Sequence, residues 1–510
     1  MKRFIYISNI LFILLTTTIF TSCVDDFLDK EPYGTSSFWT TPAEAELGIN
    51  AAYQPFYEEE FYGRGQFWLE TADDDMIVNN SGKTTTINLT SFISTTNDDG
   101  YSRSYWEYSY RIIRRSNDVL RNVPNMSMDQ NLKNRILGEA NFMLGLTYFQ
   151  LARRHGGLPF GDKENPLDYN KPRETLTETY NRIEAYLLEA THLLTEWNSN
   201  NGENAGRATL GAAWGTLAKV YCYWGKYDKA KDACEKVINS GQFDLLDDYA
   251  KAFSLEYEKS PEHIFYVNNK AERHHGTITS IVHLSQKLTD GGGWKYFAPT
   301  KSLSDAFEPE DTRRSVTLAG IRETVRLLNT DVLLTADNIS DMGTGFMCMK
   351  YASPYQKLSS YDWETGLDIP ILRYSDILLL HAEAIIVLGG GGPDPGKRNT
   401  GVAAAAESFN KVRLRAFKQD QSKYIAAPTF MDLVNERRCE LAFEEQRHAD
   451  LVRWGLAKEV YAAATTATDP RGPRTFDPAK HNYFMLPQRE IDISNGLLIN
   501  NPEPGYSTFE

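Results

Sequence analysis

The chain has 510 residues, a formal net charge of −14 at pH 7 and five cysteines. So acidic a chain is a poor candidate for binding nucleic acid, because contacts with phosphates require concentrated Lys and Arg. The four cysteines that follow Cys23 have spacings that match neither a zinc site nor a dense disulfide framework. Aromatic residues make up 12% of the chain, with 28 Tyr and 9 Trp, a surplus beyond ordinary core packing.

The N-terminal segment has the features of a secretory signal. Lys2 and Arg3 precede a mostly apolar stretch, residues 5–20, that is shorter than the roughly 20 apolar residues needed to span a bilayer. Small residues lie directly before Cys23, an arrangement that resembles a bacterial lipobox. We therefore expect residues 1–22 to be a lipoprotein signal peptide, Cys23 to be lipidated, and residues 23–510 to form a single domain. The alternative is an ordinary cleaved signal with an incidental cysteine.

Helical periodicity recurs along the mature chain, and no long alternating strand pattern dominates. It predicts helices over residues 131–155, 177–197, 207–240, 371–388, 402–417 and 430–460. The third of these contains a pattern close to a tetratricopeptide repeat: Trp214, Leu217, Ala218 and Tyr221, then Gly225, Tyr227 and Ala230. One repeat cannot bury its faces alone, so other helix pairs must stack beside it. Residues 61–105 and 268–370 predict loop-rich insertions, where binding usually resides.

Two short segments superficially match phosphate or metal sites. Gly391 to Lys397 has the spacing of a phosphate-binding loop, but Arg398 stands where Ser or Thr should hold magnesium, and a helix precedes it. An interhelical loop is therefore favoured. Asp73–Asp75 offers calcium-binding oxygens without the alternate spacing of a calcium loop, so we expect a solvated acidic loop.

The segment ERRCELAFEEQRHADLVRWG, residues 436–455, is rich in carboxylates, and two carboxylates are the main requirement of a glycosidase. On a helix, its spacing predicts three ion pairs: Arg437–Glu440, Glu444–Arg447 and Asp450–Arg453. Such pairing lowers the carboxyl pKa, which suits a general acid badly. Ion pairing, between helices or at helix ends, is therefore favoured over catalysis.

The same segment resembles the C-terminal signature of the SusD/RagB family of outer-membrane nutrient-binding lipoproteins. Other segments agree in the family's order: FLDKEP, SFWTTPAEAELGINAAY, GRATLGAAWGTLAKVYCYWGKYDKA, ILRYSDILLLHAEA and FMLPQREIDISNGLLINNPEPGY. The resemblance spans essentially the whole mature chain. Cys439 and His448 depart from the residues common in the family, but both lie in a segment whose role is structural.

The resemblance implies a mostly α fold, in which a superhelix of tetratricopeptide-like helix pairs supports a loop-rich ligand-binding half. It implies a protein without enzymatic activity or cofactor, anchored by lipid in the outer membrane and facing the cell exterior. Its partner would be a TonB-dependent transporter of the SusC type, which it would cover as a lid. Family ligands are usually oligosaccharides and in some branches peptides. Both remain open, and a surface glycoside hydrolase is a further alternative.

The ligand-binding site is predicted from the chemistry of sugars, because the family's binding residues vary. A sugar presents apolar C–H faces between hydroxyl groups, so its site needs exposed aromatic planes beside hydrogen-bonding side chains. The segment GGGWKYFAP fits best, followed by GRGQFWLETADDD and NDDGYSRSYW. The predicted contacts are Trp294, Lys295, Tyr296, Arg64, Trp68, Asp73, Tyr101 and Arg103, with Tyr355, Tyr361 and Trp363 ranked below them. No metal site is expected.

Overall fold

The computed structural model describes residues 38–79, 82–161, 168–200, 202–272, 275–289, 292–327, 330–352, 364–500 and 509. The signal segment, Cys23 and the lower-ranked aromatic candidates Tyr355, Tyr361 and Trp363 lie outside these ranges. Within them, no helix combines the length and the apolar character that crossing a membrane requires.

Helices dominate the described part of the chain. They are α1 (Pro42–Tyr53), α2 (Gly65–Glu70), α3 (Thr84–Thr90), α4 (Gly100–Asn122), α5 (Gln130–His155), α6 (Leu176–Leu193), α7 (Leu210–Tyr223), α8 (Tyr227–Asn239), α9 (Thr279–Val282), α10 (Lys301–Ala306), α11 (Arg313–Thr317), α12 (Tyr374–Leu388), α13 (Ala406–Ala416), α14 (Phe430–Leu441), α15 (Arg447–Arg453), α16 (Ala457–Ala463), α17 (Pro478–His481) and α18 (Gln488–Ile493). The prediction of a mostly α fold is confirmed.

Short strands form two-stranded antiparallel pairs that the sequence did not predict. Met76–Val78 (β1) pairs with Phe297–Pro299 (β3), and His263–Val267 (β2) pairs with Ile369–Arg373 (β8). Leu318–Gly320 (β4) pairs with Phe346–Cys348 (β7), and Thr324–Leu327 (β5) pairs with Thr330–Leu333 (β6). The β4–β7 and β5–β6 pairs lie within the predicted insertion 268–370. The β1–β3 pair joins the two insertions, because β1 lies in residues 61–105 and β3 in residues 268–370. We call these insertions, residues 61–105 and 268–370, the loop-rich half.

The long helices pack in succession and form what we call the helical scaffold, α4–α8 with α12–α14. Contacts join α4 to α5, α5 to α6, α6 to α7, α7 to α8, α8 to α12, and α12 to α13 and α14. The predicted repeat corresponds to α7 and α8, which meet at Gly225, where φ is +72°. Ala230, Cys234 and Val237 are buried on α8, as the repeat pattern requires.

Two predicted helices differ from the structure: one is divided into shorter helices, and the other begins later than predicted. The predicted helix over residues 430–460 is three helices, α14, α15 and α16, because Phe443 and Glu445 adopt positive φ values of 65° and 59° and turn the chain. The predicted helix over residues 371–388 begins at Tyr374, since the preceding residues belong to β8. In the loop-rich half, α4 already begins at Gly100. The segment around Gly391 is an interhelical loop, as expected.

Buried charges of opposite sign join α14 to its neighbours, and we call this cluster the ionic seam: Glu262, Arg313, Arg373, Arg415, Glu436, Glu440 and Glu444. Arg373 is fully buried and pairs with Glu262 at 2.6 Å, Glu440 at 2.9 Å and Glu444 at 2.6 Å. Burial acts to raise the pKa of Glu440, but Arg415, Arg373 and Arg313 outweigh it and hold that pKa below its usual range.

The predicted ion pairs within one helix are mostly replaced by pairs between elements. Asp450 and Arg453 pair at 2.8 Å, as predicted. Arg437 instead contacts Asp376 at 2.8 Å and Asp450 at 2.9 Å, while Glu440 and Glu444 pair with residues of the ionic seam. The prediction for Glu444–Arg447 is wrong because the chain turns after Leu441, so the spacing of one continuous helix does not apply there. The prediction for Arg437–Glu440 is wrong although both lie on α14, because other elements place opposite charges against each of them.

Candidate functional site

Residues from three separate segments of the loop-rich half meet in one cluster, which we call the aromatic platform: Arg64, Trp68, Tyr101, Trp294 and Tyr296. Trp68 stacks on Tyr101 with ring centroids 4.2 Å apart and planes 14° apart. Trp294 meets Tyr296 edge-on at 5.7 Å, and Tyr296 meets Trp68 at 5.5 Å. The structure thus brings together five residues that the sequence analysis selected independently.

The guanidinium of Arg64 lies at the centre of the platform. Its Cζ atom is 5.5 Å from the ring centroid of Tyr101, 5.6 Å from that of Trp294 and 5.3 Å from that of Tyr296. These distances are within the range of cation–π attraction, which holds a cation against the negative face of an aromatic ring. Glu59 pairs with Arg64 at 2.7 Å, and the Arg64 side chain is 14% exposed.

Local backbone geometry fixes Arg64 and Tyr101. Arg64 follows a π-helical turn, Glu59–Gly63, and precedes Gly65, where a Cβ atom would lie 1.9 Å from the carbonyl oxygen of Glu60. Only glycine fits so close an approach. Asp99 caps α4 by accepting hydrogen bonds from the backbone N–H groups of Tyr101 at 3.0 Å and Ser102 at 2.9 Å.

Backbone hydrogen bonds hold the segment that carries Trp294 and Tyr296. The N–H of Trp294 donates to the carbonyl of Ile281 at 2.9 Å, and the N–H of Tyr296 donates to that of Val282 at 2.9 Å. Directly after Tyr296, β3 pairs with β1. Lys295, between the two aromatic residues, has a φ of +48°, which is uncommon outside glycine and asparagine. The platform therefore stands on ordered backbone.

Exposure separates the platform's surface from its support. Arg64, Trp294, Lys295 and Tyr296 are half-buried, so each presents part of its side chain to solvent. Trp68 is fully buried, and Tyr101 is 7% exposed. The prediction that Trp68 contacts a ligand directly is corrected by this burial: Trp68 supports Tyr101 and Tyr296 from beneath.

Asp73 and its two neighbours are buried, so the expected solvated acidic loop is wrong. Asp74 pairs with Arg447 and Arg438, both at 2.9 Å, and Asp75 pairs with Arg438 at 2.7 Å. Asp73 accepts from the N–H of Asp75 at 2.8 Å, and burial, with Asp75 and Asp74 nearby, raises its pKa. With 2% of its surface exposed, Asp73 is a structural residue and not a ligand contact.

Neither a metal cluster nor a role for Arg103 emerges at the platform. No group of three or more potential metal ligands occurs in the part of the chain that the structure describes. Arg103 is exposed on α4 and lies 3.7 Å from Glu107, four residues further along the same helix. In the described part of the chain its ion pair is with Glu107 and not with a platform residue, so its place in the site stays a prediction.

Lys83 lies against the aromatic platform and was not predicted from the sequence. Its Nζ atom lies 5.0 Å from the ring centroid of Tyr101 and 5.7 Å from that of Trp68. Lys83 directly precedes α3 in a segment of glycine and threonine without periodicity. No local signal identifies it, because its position depends on how α3 packs beside α2 and α4.

A separate cavity of about 550 Å³ lies near the other end of α3. Phe92, His481 and Tyr483 are among its lining residues, and the rings of Phe92 and His481 stack at 5.3 Å. None of the predicted ligand contacts lines it. This second cavity is therefore the platform's competitor for a ligand.

Two family models match the sequence in different regions. The model described as the SusD family matches residues 333–506, and the model described as starch-binding associating with outer membrane matches residues 26–222. The SusD-like protein P2 of Formosa agariphila is 25% identical over 98% of this chain and 99% of its own length. The starch-binding protein SusD of Bacteroides thetaiotaomicron is 24% identical over 69% of this chain and 70% of its own length.

Solved structures share the fold along nearly the whole chain. A SusD superfamily protein from Bacteroides vulgatus aligns with a TM-score of 0.75 and 21% identity over 91% of this chain and 99% of its own. Surface glycan-binding protein A from Bacteroides thetaiotaomicron, in complex with laminarihexaose, aligns with a TM-score of 0.73 and 23% identity over 91% of this chain and 100% of its own. The fold and the sequence matches define a helical-repeat protein with a loop-rich half. The chain belongs to the SusD/RagB family.

Proposed function

We propose that this chain binds an oligosaccharide at the cell surface, on the aromatic platform. The observation that carries the proposal is the arrangement of Trp294 and Tyr296, two partly exposed rings on ordered backbone, around the Arg64 guanidinium. The matched family description and the laminarihexaose complex of a structural relative support a carbohydrate as the ligand.

The chemistry of the platform suits a sugar. The apolar C–H face of a pyranose ring packs against an aromatic plane, and Trp and Tyr supply such planes at low cost in conformational entropy. Arg64 is a half-buried donor beside these rings and can bond the hydroxyl or acidic groups at the sugar's edge. Stacking then provides affinity, and the donors fix the orientation of the sugar.

Delivery to a transporter is the second part of the proposal. The chain carries a lipid on Cys23, faces the cell exterior from the outer membrane, and passes its ligand to a SusC-like TonB-dependent transporter. The lipobox-like sequence and the family description, which places relatives at the outer membrane, support this role. Cys23→Ala is expected to move the protein from the membrane fraction to the soluble fraction. Protein that stays membrane-bound after its signal has been cleaved off would contradict the lipid anchor.

We propose a structural and not a catalytic role for Glu440, Glu444 and Asp450, the carboxylates in which the sequence allowed for a glycosidase. Glu440 and Glu444 pair with arginines of the ionic seam, and arginines also lower the pKa of Asp450 against the effect of burial. A carboxylate held in its charged form is a poor general acid. A peptide ligand is the alternative within the family, because aromatic planes and guanidinium groups also recognise peptides.

Isothermal titration of the mature domain, with Cys23 removed, tests the proposal against oligosaccharides and casein-derived peptides. Saturable binding to a glycan class is expected, with no reducing ends released during incubation. Binding to peptides alone would replace the carbohydrate with a peptide, and release of reducing ends would indicate a glycosidase. Copurification of the full-length protein with a transporter from membranes tests the delivery step.

A further inference from the structure

Two cationic side chains, those of Arg64 and Lys83, lie against rings of the aromatic platform, although the chain carries a net charge of −14. Arg64 and Lys83 both lie against the Tyr101 ring, with Cζ at 5.5 Å and Nζ at 5.0 Å from its centroid. A third cationic residue, Lys295, stands between Trp294 and Tyr296 in the sequence and is half-buried. The platform is therefore locally positive in an acidic protein, which concentrates anions at that surface.

Negative charge at the platform is limited. Glu59 pairs with Arg64 at 2.7 Å, and the Glu59 side chain is 44% exposed, so water weakens that pair. Within the described ranges, Lys83 and Lys295 have no carboxylate at ion-pair distance. The Nε atom of Arg64 is buried and has no hydrogen-bond partner among the described residues. The charge of Lys83 thus has no carboxylate partner among the described residues, and an exposed Glu59 offsets that of Arg64 only in part.

Two buried lysines in other parts of the molecule, unlike Lys83, pair directly with carboxylates. Lys219 pairs with Asp376 at 2.8 Å, and Lys350 pairs with Glu444 at 2.6 Å. A charge removed from water is normally compensated by an opposite charge or by hydrogen bonds. Lys83 is only half-buried, and its neighbours are the faces of two aromatic rings, which attract a cation without neutralising it.

We propose that the platform binds an anionic glycan whose carboxylate or sulfate groups contact Arg64 and Lys83. This inference rests on the proposed function and specifies the ligand of the same site. In a uronic acid, the carboxylate projects from the edge of the ring whose apolar face stacks on Trp294 or Tyr296. Arg64, within 5.6 Å of both ring centroids, is placed to take that carboxylate while the ring stacks.

Affinity electrophoresis of the mature protein compares acidic with neutral polysaccharides. The acidic probes are polygalacturonate, alginate, chondroitin sulfate and carrageenan, and the neutral probes are laminarin, amylopectin, mannan and xyloglucan. Retardation by an acidic probe is expected. Retardation by neutral probes alone would overturn the anionic inference and leave the proposed function intact, whereas no retardation by any probe would contradict both.

Chemical modification of the bound acidic probe distinguishes carboxylate from sulfate. Methyl esterification removes the charge of uronates, and desulfation removes that of sulfate esters, while each leaves the sugar backbone in place. Affinity is expected to fall about tenfold or more on one treatment, as for loss of a charge-assisted hydrogen bond. Equal affinity before and after both treatments would overturn the inference.

Lys83→Gln is expected to lower affinity for the acidic probe about tenfold while thermal unfolding stays unchanged. The matched control is Lys458→Gln, which removes one charge from an exposed lysine on α16. Unchanged affinity in Lys83→Gln, or an equal loss in the control, would contradict a specific role for Lys83. Independently of any variant, raising NaCl from about 50 mM to about 500 mM is expected to weaken binding, because salt screens charge attraction. Salt-independent affinity would also overturn the inference.

Discussion

Charged groups follow different rules in the ionic seam and at the aromatic platform. In the seam, Glu440 accepts from Arg373 and Arg415 at 2.9 and 2.5 Å, and every member contacts an opposite charge. At the platform, Lys83 and Arg64 lie against aromatic faces, and Glu59 is the carboxylate that pairs with Arg64. The seam thus compensates its charges within the fold, whereas the charges that we propose for ligand binding lie at a half-buried surface.

The physical reason for this difference is the cost of burying charge. A carboxylate or guanidinium taken out of water loses hydration worth several kcal/mol, which only close opposite charges and hydrogen bonds offset. The ionic seam meets this requirement within the chain. At a half-exposed binding surface, charges can remain partly uncompensated by the protein until a ligand binds.

The largest expected effect comes from breaking the ionic seam. Arg373→Met leaves Glu262, Glu440 and Glu444 without their shared guanidinium, and Glu262 and Glu440 are fully buried. Unfolding in urea is expected to show a loss of about 3–5 kcal/mol, as for removal of one partner from a buried ion pair. Arg326→Met is the control, because its pair with Asp331 is 65% and 69% exposed. A change below about 0.5 kcal/mol is expected there. Similar losses in both variants would contradict the role of the seam.

Asp368 of the loop-rich half has a carboxylate of like charge nearby, and this pair sharpens the comparison. Burial, with Glu258 nearby, raises the pKa of Asp368 to about 8. Because the native pKa exceeds the unfolded one, the native state keeps a proton that the unfolded state has released between about pH 4 and pH 8. The contribution of Asp368 to stability therefore falls as the pH rises through this window.

Asp368→Asn removes this dependence and keeps the oxygen that accepts from the N–H of Asn269. The stability of the variant relative to wild type is expected to increase by up to about 4 kcal/mol between pH 5 and pH 8, measured by urea unfolding at both pH values. Asp232→Asn, at an exposed position of α8, is the control and should show no such trend. Parallel pH profiles for wild type and Asp368→Asn would contradict the raised pKa.

The smallest of these effects in energy concerns ligand binding. Trp294→Ala removes one exposed face of the platform and is expected to weaken glycan binding about tenfold, or about 1.4 kcal/mol, in isothermal titration. Trp197→Ala truncates a half-buried tryptophan packed against the main core and serves as the control. Its affinity should match wild type. An equal loss in both variants would indicate general destabilisation and not a binding role for Trp294.

Much of the scaffold could be predicted because its signals are local. Helical periodicity located α5, α6 and α13 to within a few residues, apart from the C-terminal end of α6, and the Gly225 turn identified the α7–α8 pair. The partners of Arg437 could not be predicted, because Asp376 lies on another helix that only the tertiary fold brings near. Local spacing describes a helix surface but not the charges that other elements place against it.

The candidate site shows the same division. Aromatic and glycine-rich composition selected Trp294, Tyr296 and Arg64, which lie together in the structure. The exposure of Trp68 could not be predicted, because its segment has a similar composition and yet its side chain is fully buried. Lys83 was not predicted because its place in the site depends on packing against the ring of Tyr101, which lies 18 positions further along the chain.

The most direct test of the central claim is a crystal structure of the mature protein with the oligosaccharide that titration identifies. The account predicts a sugar ring stacked on Trp294 or Tyr296, with an acidic substituent at hydrogen-bond distance from Arg64 or Lys83. Sugar bound instead in the cavity lined by Phe92 and His481, with the platform empty, would contradict it.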